Sequence, residues 1–513
     1  MTGPGRPAAV TPIDRRAGEP VGERLGGPRV PADDALVRRL AGCCTHVSTQ
    51  DDDRAEAGRD WWPLAIRWAA GGQVPALPGV VARPSSTAEV AAVLAACHDA
   101  RVPVTPMAGR SGVCGGSIPV FGGVALDLCG LHGVTHLDTT SLTATVRAGT
   151  FGPDLERAVR AEGTTVGHWP QSMDLSTVGG WVACRGAGQY STRYGKIEDM
   201  VTGLEVVLSD GRVVHTGGRA PRQATGPDLT QLFVGSEGTL GVVTEASLRL
   251  HPVPASQARS AFGFPDFTSG LEACRRILRR GATPAVLRLY DETETARHFA
   301  EEGLCALVVL DEADPGLLAA TMAVVADEST ASGGRRLADD LVEQWLARRN
   351  DVSALAPLTR AGIVVDTVEV AGRWAALPGL AERCLGALRA MPGMLAASVH
   401  QSHAYGDGAC LYMTFAGRMP DTAGGHGDPI AEDRWAEELY TRAWQAVMDE
   451  VRDAGAAISH HHGIGLNRAR FLGPALGPAA GVLADLKRAL DPRGILNPGK
   501  LGMPSPFGEV PWP

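Results

Sequence analysis

Two patterns in this 513-residue chain have residue types and spacing suited to chemistry. The first is the glycine-rich stretch from Gly167 to Gly195, centred on Ser176-Thr177-Val178-Gly179-Gly180. Glycine has no Cβ and tolerates positive φ, so this backbone can approach a partner closely. Hydroxyl and amide donors along it suit a large, flat, phosphorylated ligand; a plain surface loop is the alternative. The second pattern is His460-His461-His462, flanked by Ser459 and by Gly463-Ile464-Gly465. Neighbouring side chains are expected to diverge and no second ligand cluster accompanies them, so no metal site is expected. A proton-handling cluster and an ordinary surface run both remain as readings.

The elements that must position these residues alternate early in the chain. Val80 to Pro84 reads as a strand, and Ser86-Thr87-Ala88-Glu89 as a capping start for a helix from Val90 to Ala100. A second strand, Val102 to Pro106, runs into the glycine loop MAGRSGVCGGSI. That loop leads to another strand, Gly123 to Leu128, and not to a long helix, which argues against a nicotinamide-type dinucleotide fold. Ser209-Asp210-Gly211 joins Leu204 to Leu208 and Arg212 to Thr216 as a hairpin. A third glycine segment, Phe233 to Thr244, ends in a strand.

The texture changes near residue 256. Strands at 285–290, 306–311, 362–370, 395–400 and 409–415 alternate with helices at 266–280, 317–329, 339–349, 377–390 and 432–454. This predicts an α+β unit with mostly antiparallel strands. The expected partition is a loose N-terminal segment 1–58, a ligand-binding domain 59–255, a second domain 256–455, and a C-terminal segment 456–513 that returns to the first domain with the His triplet. Gly417 to Asp428 reads as a flexible insert.

Composition excludes several classes. A net charge of −9 argues against nucleic-acid or anionic-membrane partners, and no apolar run is long enough for a membrane span or a secretory signal. Ten scattered cysteines without a C-x-x-C pair fit reduced thiols and a cytoplasmic location. The expected partner is a small-molecule substrate, and nothing forbids a homodimer.

The segments PMAGRSGVCGG, PQSMDLSTVGGWVACRGAG and GSEGTLGVVTEASLRLHP resemble the FAD-binding half of the vanillyl-alcohol oxidase (p-cresol methylhydroxylase-type) superfamily. GHWPQSMDLSTVGGW, KIEDMVTGLEVV, TGPDL, PAVLRLYD, GACLYMTF and ISHHHGIG are most similar to its alkyldihydroxyacetonephosphate synthase branch. The resemblance spans roughly residues 60 to 501. It implies an α+β chain, with a two-subdomain FAD-binding fold and an α+β cap domain built on an antiparallel sheet.

For the cofactor, the resemblance assigns Met107, Ala108, Gly109, Arg110, Ser111 and Gly112 to the FAD pyrophosphate. Asp174, Ser176, Thr177, Gly179 and Gly180 follow from the second loop, with Cys184, Arg185, Gly186 and Ala187 beside them. Glu237, Gly238, Thr239, Leu240, Gly241, Val242 and Val243 fall on the adenosine side. Arg110 interrupts a run that is often all glycine in relatives, and its bulk must point away from the turn. Ser111 stands where covalent members carry histidine, so FAD is expected without a covalent link.

For catalysis, the resemblance implies acid/base roles for Tyr412 and for His460, His461 or His462, with Arg288 as a positive neighbour and His403 as a weaker candidate. It also implies an anchor arginine for a substrate phosphate. No arginine aligns cleanly there, and Arg348 or Arg349 would serve only after a small shift. The reading that follows is an FAD-dependent oxidoreductase removing a proton and passing a hydride to flavin N5. The alternative is a synthase-like transferase using a flavin N5 adduct without net redox.

Overall fold

The computed structural model describes residues 12–14, 19–352, 355–421, 423–425 and 427–512. The first glycine loop grows from a four-stranded sheet ordered His46–Ser48, Val80–Arg83, Val124–Asp127 and Val104–Met107. The last three strands are parallel, and helix Thr87–Ala100 crosses between two of them. Ser86 caps that helix by accepting the Glu89 N–H. Val90, Val93, Leu94 and Cys97 bury its inner face against Val80, Val104 and Val124.

A five-stranded antiparallel sheet follows, ordered Val213–Gly217, Val201–Val207, Val242–Arg249, Thr143–Arg147 and Val134–Asp138. The expected hairpin closes here, with Gly211 at φ +88° and Val207 opposite Val213. Helix Val178–Cys184 packs on this sheet. A Cβ on Gly179 would stand 2.7 Å from the Ala148 Cβ, which explains that glycine as a packing requirement.

The larger sheet has seven antiparallel strands ordered Arg335–Leu337, Ser256–Phe264, Cys305–Ala313, Val286–Tyr290, Met394–Ala404, Gly408–Gly417 and Val364–Arg373. Helices Phe267–Arg279, Pro315–Ala331, Leu377–Arg389 and Pro429–Asp453 accompany it. The α+β class and the antiparallel second sheet are therefore as expected. Strand Ser256–Phe264 escaped sequence reading because its outer half, SQARS, is polar and small. The strand expected to stop at His400 runs on to Ala404, which brings His403 into the sheet.

The segment before residue 59 departs from the loose lead expected of it. Asp34–Ala41 and Asp51–Ala57 are helices, and His46–Ser48 pairs with Val81–Arg83. Leu36 and Leu40 supply apolar burial that a short, arginine-rich sequence hides. Residues 1–11, 15–18, 422 and 426, which fall in the segments expected to be loose, lie outside the described residues.

The C-terminal segment ties the sheets together. Val104 bridges Leu496, Ala371 bridges Ala457, and buried Lys487 donates to the carbonyls of Thr239 and Leu496 and pairs with Asp491 at 2.6 Å. These contacts deliver the His triplet to the junction of the glycine loops and the large sheet.

Candidate active site

A cavity of about 770 Å³ opens between the glycine loops and one face of the seven-stranded sheet. Met107, Ala108, Gly109, Arg110, Ser111 and Gly112 all line it, as do Asp174, Ser176, Thr177, Gly179, Gly180, Cys184, Gly186, Ala187, Glu237, Gly238, Gly241, Val242 and Val243. Three expected cofactor residues do not. Arg185 turns outward to Glu198, Leu240 sits in the apolar core, and the Thr239 hydroxyl donates to the Ser236 carbonyl.

The first loop has the donors a diphosphate needs. Among the described residues, the N–H groups of Gly109, Ser111 and Gly112 meet no acceptor of the chain itself. A Cβ on Gly109 would lie 2.1 Å from the Leu175 carbonyl oxygen, so this loop and the second one touch through glycine alone. Arg110 adopts φ +54°, a left-handed turn that explains why glycine suits this position, and its guanidinium lies 3.9 Å from Glu56. Buried Asp60 Oδ2, Ser117 Oγ and both ring nitrogens of His168 are unpartnered in residues that border the cavity. Burial lowers the pKa of His168 to about 3, so the ring is neutral and offers one donor and one acceptor. Orphaned polar atoms of this kind are what a bound ligand satisfies. The residues present fit FAD.

Some lining residues spend their side chains on holding the cradle together. Ser176 donates to the Ser172 carbonyl and accepts from Trp181 Nε1, while Thr177 caps the helix that follows. Glu237 accepts the N–H groups of Ile464 and Gly465 at 2.6 and 2.9 Å, so it clamps the His-triplet loop onto the cofactor loops.

The opposite wall is made of side chains. Glu369, fully buried, accepts from Ser459 Oγ at 2.8 Å and from the backbone N–H groups of His460, His461 and His462 at 2.6, 3.2 and 2.7 Å. Arg468, equally buried, pairs with it at 3.1 Å and lies over Trp444. Burial alone would raise the Glu369 pKa, but Arg468 and the triplet's donors hold it down to about 2. This carboxylate shapes the triplet, and sequence reading missed it because Glu369 lies 91 residues from His460.

Within the triplet the imidazoles converge where divergence was expected. His460 Nδ1 and His461 Nδ1 are 2.9 Å apart, and Cys410 joins them with its donor atom within 4.8 Å of theirs. Burial keeps the Cys410 thiol protonated well above its usual range, so the set comprises a thiol and two imidazoles. His461 and His462 border the cavity, and His460 stands behind them.

The Tyr412 hydroxyl lies 2.9 Å from His461 Nε2 and 3.1 Å from His403 Nε2. Arg288 was expected to lower the Tyr412 pKa. The guanidinium does sit 5.9 Å from the ring and acts in that direction, but burial outweighs it and holds the phenol well above 10. Tyr412 is therefore a neutral hydroxyl held between two imidazoles. Burial likewise lowers the pKa of His403 and His461 well below 6.5.

Arg288 is oriented by residues that sequence reading did not single out. Its Nη2 donates to His400 Nε2 at 2.7 Å, and His400 Nδ1 is 2.9 Å from Glu294. Arginine can only donate, so His400 carries its hydrogen on Nδ1 and donates it in a hydrogen bond to the Glu294 carboxylate. Arg348 and Arg349 also border the cavity. Arg349 is braced by Gln189 at 3.0 Å and by the rings of Tyr190, Trp345 and Trp169. Among the described residues, none of Arg288, Arg348 and Arg349 has a carboxylate within ion-pair distance. This end of the cavity therefore attracts an anion.

Comparison with known proteins agrees with this geometry. The FAD binding domain family matches residues 78–217, and the C-terminal domain of FAD linked oxidases matches residues 253–501. The FAD-linked oxidoreductase YgcU of Escherichia coli is 30% identical over 439 residues, covering 83% of this chain and 89% of that one. Glycolate oxidase subunit GlcD of Bacillus subtilis is 30% identical over 468 residues, covering 88% and 93%. Alkyldihydroxyacetonephosphate synthase of Dictyostelium discoideum is 27% identical over 468 residues, covering 84% and 74%. Among solved structures, an alkyldihydroxyacetonephosphate synthase superposes with a TM-score of 0.76 at 24% identity, covering 93% of this chain and 87% of that one. For p-cresol methylhydroxylase the values are 0.72 and 18%, covering 92% and 96%. No helix among the described residues is long and apolar enough to cross a membrane.

Proposed function

The chain belongs to the FAD-linked oxidase family and takes FAD as its cofactor, and from that premise we propose that it oxidises a small, hydroxylated, anionic substrate. The observation that carries this reading is the Tyr412 hydroxyl, held between His461 and His403 on a cavity wall that also presents Arg288, Arg348 and Arg349. FAD supplies the two-electron acceptor for the hydrogen on the carbinol carbon. The arginines hold the substrate's anionic group and thereby aim its hydroxyl. Tyr412, neutral and hydrogen-bonded on both sides, takes the hydroxyl proton while one imidazole accepts its own. Glu369 and Glu294 hold the triplet and Arg288 in place. Loop 107–112 carries no histidine, and the reading includes FAD bound without a covalent link.

A second reading has a specific observation in its favour. The triplet, Tyr412 and Arg288 are all present in a chain similar to an alkyldihydroxyacetonephosphate synthase, which fits exchange of an acyloxy group for an alcohol with no net redox. Anaerobic addition of glycolate or D-lactate to the holoenzyme separates the two. Bleaching of the oxidised flavin spectrum supports oxidation. An unchanged spectrum, with turnover of an acyl ester of a ketone phosphate, overturns it in favour of exchange.

A further inference from the structure

Tyr412 is one link in a longer chain of hydrogen bonds. On one side its hydroxyl meets His403 Nε2 at 3.1 Å; His403 Nδ1 meets Ser191 Oγ at 2.9 Å, and Ser191 Oγ meets the Tyr405 hydroxyl at 3.1 Å. On the other side the Tyr412 hydroxyl meets His461 Nε2 at 2.9 Å, and His461 Nδ1 meets His460 Nδ1 at 2.9 Å. Five contacts thus join six groups drawn from three distant parts of the sequence.

Hydrogen counting restricts this chain. When neutral, each of the six groups carries one mobile hydrogen, on a hydroxyl or on one imidazole nitrogen. Five contacts use five hydrogens and leave one spare. His403 and His461 have both nitrogens engaged, so neither can hold the spare one. It sits on Tyr405, Ser191, Tyr412 or His460, and each choice fixes the direction of every other bond. With the spare hydrogen on Tyr412, both imidazoles donate to the phenol oxygen and the O–H is free to face a substrate. With it on Tyr405, every bond points from His460 toward Tyr405, and Ser191 donates to the Tyr405 oxygen. Burial of Ser191 and His403 excludes water from the links, and it favours hydrogens hopping between neutral tautomers over storage of an imidazolium.

We propose that Ser191 and Tyr405 complete a proton relay, through His403, that carries away the hydrogen Tyr412 takes from the substrate. The proposal rests on the oxidation reading of the same site. The substrate O–H bond breaks and a new O–H bond forms on Tyr412. Tyr412's former hydrogen passes to His403 Nε2, that of His403 Nδ1 to Ser191, and that of Ser191 to Tyr405. Tyr405 then releases its own proton to solvent water, while the two electrons of the substrate C–H bond go with their hydrogen to FAD. Tyr405 suits the outer end because it is only partly buried, and the Lys196 ammonium lies 4.7 Å over its ring, where it favours departure of a positive charge. The Tyr405 ring also stacks on His460 at 5.6 Å, so both ends of the chain finish on the same side of the sheet.

The test reads histidine tautomers in the holoenzyme by nitrogen-15 NMR, and it needs no substrate. Ser191→Ala removes the partner of His403 Nδ1. A buried N–H without an acceptor is disfavoured, so His403 should move its hydrogen to Nε2. Tyr412 then loses His403 as an acceptor, and the acceptor left to it in the chain is His461 Nε2, which shifts that ring toward the Nδ1–H form. The expected result is a change in the His461 tautomer balance three hydrogen bonds from the mutation, with FAD content unchanged. An identical His461 spectrum in wild type and Ser191→Ala overturns the relay. With D-lactate or glycolate, whichever bleaches the wild-type flavin, Ser191→Ala and Tyr405→Phe should slow flavin reduction about tenfold or more and alter its solvent isotope effect. Wild-type rates and isotope effects in both variants also overturn the relay. If neither acid bleaches wild type, the oxidation reading fails while the NMR result still decides whether the chain is coupled.

Discussion

The glycine loops and the sheet face enclose one cavity but build their walls in opposite ways. The loop wall is backbone: free N–H groups at Gly109, Ser111 and Gly112, with glycine where two loops touch. The sheet wall is side chain: Arg288, Glu294, His400, His403 and Tyr412 on strands or an adjoining helix, and a His triplet pinned by Glu369. A backbone wall tolerates variation in side chains and fails when chain conformation changes. A side-chain wall fails one group at a time, and each failure has its own signature.

The largest expected break in that comparison is Gly109→Ala. Its Cβ would lie 2.1 Å from the Leu175 carbonyl oxygen, a backbone atom that cannot move alone. The two cofactor loops must separate, and flavin content, read from visible absorbance against protein, should fall about a hundredfold or to background. Full flavin content in this variant would mean that the loop does not set the cavity wall.

On the sheet side, Glu369→Gln should cost the most. It leaves buried Arg468 without its counter-charge, a loss of about 3–5 kcal/mol in unfolding free energy by denaturant titration. The pH dependence has a definite sign. Glu369 titrates near 2 in the folded chain, against an ordinary value of 4.5. Its contribution is therefore complete above about 4.5 and is lost as pH falls toward 2. Wild type should lose more stability across that window than Glu369→Gln, and equal losses would sever Glu369 from the ion pair.

Tyr412→Phe isolates chemistry from architecture. The ring remains, flavin content should not change, and substrate-driven flavin reduction should slow about a hundredfold or more. Arg349→Met asks for less. It keeps length while removing the charge, so the KM for an anionic substrate should rise about tenfold with kcat little altered. A rise in KM for neutral and anionic substrates alike would show that the bracing of Trp169 and Tyr190, and not the charge, was lost.

The same contrast explains what the sequence disclosed. A cradle made of backbone is written in short glycine-rich segments, so loops 107–112, 174–180 and 237–243 are legible, and with them the family. Arg185, Thr239 and Leu240, which the resemblance assigns to the cofactor, do not line the cavity, because membership of a glycine segment says nothing about which way a side chain points. The sheet face was legible only at Tyr412, Arg288 and the triplet, through resemblance. Glu369 stands opposite Tyr412 across a strand pair, and His400 stands opposite it on the other side. Neither pairing follows from spacing along the chain, because the register of distant strands is set by the folded sheet. His403 is hard to weigh from the sequence because its strand runs four residues beyond the His400 end expected of it.

Arg110 gives the finest test, because there a side chain intrudes on the backbone wall. Its φ of +54° is a conformation in which an L-residue with a Cβ costs about 1 kcal/mol more than glycine. The guanidinium lies beside Glu56 as well as the cavity, so part of its charge is already answered. If the loop holds FAD through its N–H groups, Arg110→Gly should retain FAD at full stoichiometry. The gain from relieving the left-handed turn should offset the lost ion pair, leaving stability within about 1 kcal/mol of wild type. Isothermal titration of the apoprotein with FAD reads the difference directly. A loss of affinity of a hundredfold or more would make this arginine a principal phosphate ligand, and the loop wall would then depend on a side chain as the sheet wall does.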